Sequence, residues 1–149
     1  MINFKFNLAR FMCQLKKSIQ IITYCGLFPF YAPSLIELSN FNLSVLLFKD
    51  ANNFSKLYCA LIIAFLSGMQ WHKIIVEKEK KFILVPMFPL FLALSYNYEF
   101  VYFDSFFILI ISLILSLLID LIILKNVYET WFKKLRINAT FLACTSFFL

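Results

Sequence analysis

Ser112, Ser116 and Asp120 stand four residues apart inside the apolar run 100–124. On a helix that spacing gathers two hydroxyls and a carboxylate into one polar stripe. A carboxylate at the bilayer centre costs about 2.5 to 3.5 kcal/mol, less toward the surface, and so turns to the bundle interior. Asp120 precedes Lys125 by five residues, about 7 Å of helix rise, and is therefore shallow. Three uses are open to it. It could relay protons or ions along the stripe, form a structural ion pair with Arg136, which starts the next antiparallel run at matching depth, or snorkel to water.

Other chemistry is harder to build. His72 is the single histidine, so neither a bis-histidine haem nor a multi-histidine metal site follows from this chain alone; beside Trp71 it reads as an interfacial hydrogen-bonding group with a membrane anchor. Cys13, Cys25, Cys59 and Cys144 are scattered without a C-x-x-C, which gives no disulfide framework and no zinc site. Nucleophile and base motifs, a Gly-rich phosphate loop and H-E-x-x-H are all missing. The expectation is a protein without cofactor or metal that is not an enzyme.

The elements that must position these residues are membrane spans. Of 149 residues 62% are hydrophobic and 15% charged, against about 25% charged in soluble domains. The mean hydropathy is +0.85. A span takes about 20 residues, so the chain holds at most five or six, in one domain. The net charge of +6 invites a nucleic-acid reading. Its basic residues lie between apolar runs rather than on one face, however, and membrane topology accounts for them better.

Residues 1–17 carry Lys5, Arg10, Lys16 and Lys17 and no acid, and read as a basic amphipathic segment on the membrane surface, with a mitochondrial transit peptide as the alternative. Five spans follow, at about 18–38, 55–74, 82–96, 100–124 and 135–149. Gly26, Pro29 and Pro33 kink the first. Ser39 to Asn53 is expected to lie on the membrane surface. In the second span, Ala60, Ala64 and Gly68 recur every four residues, a small-residue face of the kind that lets membrane helices approach closely. Pro86 and Pro89 sit early in the third, which forms a tight hairpin with the fourth, flanked by Tyr96, Tyr98 and Tyr102. The fifth has 15 residues and either thins the bilayer or begins inside the preceding loop, which holds Trp131.

Twelve of the fourteen Lys and Arg fall, four each, on the N-terminus, the loop after span 2 and the segment opening span 5. That alternation fits an all-α bundle with the N-terminus cytoplasmic and the C-terminus outside. It also gathers Gly26, Pro29, Gly68, Trp71, His72, Pro86, Asp120 and Arg136 into one cytoplasmic layer.

The segments GLFPF at 26–30, FLSGMQWH at 65–72 and the opening of span 5 resemble the domain of unknown function 3429 family, which includes transmembrane protein 69-like proteins. The resemblance rests on Gly26, Leu27, Pro29 and Phe30; Phe65, Leu66, Gly68 and Trp71; Pro86; Asp120; and Trp131, Leu135 and Arg136, and covers about residues 20–149. Ser67 and His72 stand where the family pattern has glycines. The resemblance implies a bacterial or mitochondrial inner membrane location and brings no established activity. Two functions are therefore carried forward: a non-enzymatic accessory or assembly factor that packs against a membrane partner or a second copy in the lipid bilayer, and a small transporter, carrier or channel component using Ser112, Ser116 and Asp120.

Overall fold

A computed structural model describes residues 2–38, 45–77, 80–97, 105–124 and 127–148. The connection at 39–44, the hairpin link at 98–104 with Tyr98 and Tyr102, and the loop residues Lys78 and Lys125 lie outside the described residues. Six α-helices run in order: α1 (Ile2–Cys25), α2 (Phe28–Leu38), α3 (Val45–Val76), α4 (Met87–Leu94), α5 (Ser105–Ile122) and α6 (Thr130–Ser146). No strand occurs among the described residues. Three stretches are long and apolar enough to cross a membrane: Gln14–Ile36, Ala51–Val76 and Ser105–Ile122.

The bundle is turned out relative to a soluble domain. Ser55, Ser67, Gln70, Ser112, Ser116, Asp120 and Thr140 are buried, whereas Phe28, Phe88, Phe141 and Ile122 are about two-thirds exposed. In water so much exposed apolar surface would drive association; lipid is the solvent that tolerates it. The core joins Leu27 and Phe30 of the first span to Cys59, Ala60 and Ile63 of α3, Ala93 of α4, Leu109 and Leu113 of α5 and Ala143 of α6. Helix α5 is central, touching α3, α4 and α6.

Several expected boundaries move. No backbone break separates residues 2–17 from the first span, because α1 runs unbroken through Lys17 and Ser18. The first span is instead interrupted at Gly26–Leu27, and Pro33 lies inside α2. Pro29 has no N–H to offer the Cys25 carbonyl, and the Phe30 N–H turns to Leu27 O at 3.0 Å, so the regular ladder stops there. The surface connection expected up to Asn53 is helical from Val45, continuous with the second span. The third span is not one helix: Lys80–Phe82 form a 3-10 turn, residues 83–86 are turns, α4 has eight residues and Ser95–Asn97 close as a second 3-10 turn. Pro86 caps α4 and Pro89 sits in its first turn, where a missing N–H leaves nothing unpaired. The helix expected as the fifth span starts inside the preceding loop, at Thr130; its 17 residues reach about 26 Å, short of a 30 Å hydrocarbon core.

Candidate functional site

The polar stripe of α5 is buried because three helices surround it, and α3 supplies its complement. Gln70 Nε2 donates to Ser116 O at 2.8 Å, to Ser116 Oγ at 3.2 Å and to Asp120 Oδ1 at 2.9 Å. Three acceptors around one nitrogen fix the amide's orientation, since a flipped oxygen would face a carbonyl and a carboxylate. From the other side Arg136 Nε donates to Asp120 Oδ2 at 2.8 Å, and Nη2 lies 2.6 Å from the same oxygen. Both guanidinium nitrogens crowd one carboxylate oxygen, so Nη2 is in ion-pair contact without an aligned hydrogen bond. Asp120 is 4% exposed. The result is a four-residue polar knot tying α3, α5 and α6 together, with Asp120 neutralised inside it. Ser112 Oγ, one turn further along the stripe, is buried with no hydrogen-bond partner among the described residues.

Gln70 is the residue that sequence reasoning passed over in favour of its neighbours. The signal was present in the spacing Cys59, Ile63, Ser67, Gln70, Ile74, all buried, which follows the 4-4-3-4 rhythm of one helix face. Next to it, Trp71 Nε1 donates to Ile83 O at 2.5 Å and pins the turn before α4. His72 is exposed and points away from the knot.

The expected single layer divides in two. Tyr58 Oη donates to Gly26 O at 2.8 Å, and Tyr58 precedes Gln70 by twelve residues, about 18 Å along α3. Phe30 packs edge-on against Tyr58 at 5.3 Å and Phe147 at 5.9 Å, while Tyr31 Oη donates to Leu142 O at 2.8 Å. Gly26 and Pro29 therefore belong to the opposite half of the bundle from Gly68, Trp71, Asp120 and Arg136. The depth assignment failed because α1 continues straight through Lys16, which places Gly26 mid-span. A Cβ at Gly26 would find ordinary contacts of 3.4 to 3.6 Å, so no backbone strain calls for glycine there.

The small-residue face also changes its meaning. Ala60 is buried, Ala64 half-buried and Gly68 exposed, and a Cβ at Gly68 would meet nothing within 4 Å. Within this chain Gly68 is not a packing residue, contrary to the expectation from its spacing.

At the basic end the first span is latched to α6. Lys16 Nζ lies 2.9 Å from Glu129 Oε2 and 5.3 Å over the Trp131 ring, and Trp131 Nε1 donates to the same carboxylate at 2.5 Å. The hydrogen bond from Lys16, then that from Trp131, holds the exposed Glu129 carboxyl below its usual range. A depressed folded value stabilises the latch above the unfolded carboxyl value and releases it as pH falls through the folded one. Trp131 fluorescence in a Trp71→Phe background is expected to change as pH falls below the usual carboxylate range, and that transition is expected to move to higher pH in Lys16→Ala, which leaves the Trp131 hydrogen bond to hold the carboxyl down. Burial, then the nearby Asp120 charge, pushes Tyr128 in the same loop up to about 12, so its phenol stays protonated.

Among the described residues no group of three His, Cys, Asp or Glu could hold a metal. No curated protein and no solved structure matches the chain. A family model does match, over residues 15–149, from the helix that carries Lys16 through the Gln70, Asp120 and Arg136 knot to the end of α6; the chain belongs to the family described as protein of unknown function DUF3429.

Proposed function

We propose that this protein is a five-crossing bundle of the bacterial inner membrane, or of the mitochondrial inner membrane, with its N-terminus cytoplasmic and its C-terminus outside, acting without chemistry of its own as an accessory or assembly factor. Five traverses are supported by the contacts at each end. Lys16, Trp71, Ile83, Asp120 and Arg136 mark one end, and Tyr31, Tyr58, Phe106 and Phe147 the other. A cytoplasmic basic end follows from the charge asymmetry. A reporter fused to the C-terminus and active only in the cytoplasm would oppose this orientation.

The observation that carries the accessory role is the outward face of α3. Gly68 opens a notch between the exposed Phe65 and His72, where a partner helix can approach the backbone. Asp120, the residue a relay would use, is already neutralised by Arg136 and Gln70. Gly68→Leu is expected to leave the thermal midpoint in mild detergent unchanged within about 1–2 °C, since surface changes are worth within about 0.5 kcal/mol. The same variant is expected to lose a stoichiometric membrane partner that co-purifies with the unaltered chain. A drop in stability would mean that the face packs within the protein.

The transporter or channel reading is favoured by one observation, the buried hydroxyls of Ser67 on α3 and Ser112 on α5, which have no hydrogen-bond partner among the described residues. A homo-oligomer that passes protons or a solute in liposomes, and stops doing so in Ser112→Val, would support it instead.

A further inference from the structure

The interrupted segment before α5 leaves that helix partly uncovered. Because α4 starts only at Met87, after the turns at 83–86, the half of α5 nearest Asp120 borders an open groove. Val85, Phe88 and Pro89 form one wall, and Leu115, Leu118 and Ile122 the other. The walls are apolar. Phe88 and Ile122 are each 70% exposed, so the groove faces the lipid side of the bundle.

Shape and charge point to one kind of occupant. The groove holds about 280 Å³ between two apolar walls over the roughly 10 Å from Leu115 to Ile122, room for a hydrocarbon chain to lie along it. The groove ends at the basic face. Lys81, exposed four residues before Val85, stands at its mouth, where Trp71 pins the turn through Ile83 O. Lys17 and Lys134 are exposed and Lys73 half-buried at the same end of the bundle. Of the acids among the described residues there, Glu129 is engaged by Lys16 and Asp120 by Arg136, which leaves Glu77 against them.

We propose that this groove is a binding site for one anionic phospholipid, with an acyl chain between α4 and α5 and the phosphate at Lys81. The site is separate from the α3 face on which the accessory role rests, so either can fail without the other.

The test is native mass spectrometry of the full chain taken from nanodiscs of equal phosphatidylglycerol and phosphatidylcholine. One phosphatidylglycerol is expected to stay with each chain, preferred about fivefold for each lysine that faces the phosphate. Leu118→Trp, which fills the groove, is expected to lose that lipid. Lys81→Glu, at an exposed side chain, is expected to keep a lipid and lose the preference. Equal retention of both lipids by the unaltered chain would overturn the proposal. So would retention by both variants at the unaltered level, or disulfide capture of a second copy through Leu118→Cys.

Discussion

Replacing Arg136 by methionine is expected to lower the stability of the bundle by about 3–5 kcal/mol, the effect of stranding one member of a buried ion pair. Arg136 brings two nitrogens to one oxygen of a carboxylate that is 4% exposed, and its own side chain is 11% exposed. Without the guanidinium, Asp120 keeps Gln70 as its only side-chain donor among the described residues. The loss is therefore mainly the desolvation of an unpaired charge, and removing that charge reverses it. Asp120→Leu with Arg136→Met is expected to recover most of the stability, because two apolar residues of similar size replace a pair whose net worth is small. Arg136→Lys is expected to fall between, since a compact ammonium cannot place two nitrogens on the carboxylate. Denaturant unfolding in nanodiscs of the unaltered chain, Arg136→Met, Asp120→Leu and the double variant completes a double-mutant cycle, with Arg136→Lys measured beside it. A loss below about 1 kcal/mol in Arg136→Met would mean that water or headgroups reach Asp120 and that the knot does not hold α5 to α6.

Gln70→Leu is expected to lower stability by about 2 kcal/mol. A hydrogen bond to a charged acceptor contributes about 1.5–3 kcal/mol, and interhelical bonds in lipid reach at most about 1.7. Leucine has nearly the same volume, so the change reports the lost polar contacts rather than a cavity. Ser116→Ala is expected to lose under about 1 kcal/mol, because it removes only the longest of the three contacts, 3.2 Å, and leaves Gln70 on the carbonyl and the carboxylate. The same unfolding series separates them. If Ser116→Ala matches or exceeds Gln70→Leu, the hydroxyl and not the amide is the hub. Gln70→Leu and Arg136→Met share Asp120, so their combined effect should depart from the sum by more than about 0.5 kcal/mol.

How much of this was legible in the sequence depends on geometry that spacing alone does not carry. Asp120 with Arg136 could be paired from the sequence because both lie next to the same connection in antiparallel helices, where depth is simple to count. Depth counting failed for Gly26 and Pro29, since it assumed a boundary at Lys17 where α1 continues. Ala60, Ala64 and Gly68 misled for another reason. Each residue turns a helix by about 100°, so a row of every fourth residue drifts by about 40° a step, and by Gly68 it has left the contact face. Ser112, Ser116 and Asp120 drift just as far and stay buried, because α5 has neighbours on three sides. Gln70 entered the knot through the mixed 4-4-3-4 rhythm that follows the true helical period. Lys16, Glu129 and Trp131 meet across more than a hundred residues of chain, and no local pattern announces such a contact.

The break at Gly26–Leu27 bears on how the protein is made. An unserved carbonyl within lipid costs several kcal/mol, and the Gly26 carbonyl finds its donor in Tyr58 on α3, the next span to leave the ribosome. The first span is thus a poor solitary guest in the bilayer. It becomes content once its successor arrives, so the natural unit of insertion is the pair, delivered together as a helical hairpin whose second arm completes the first.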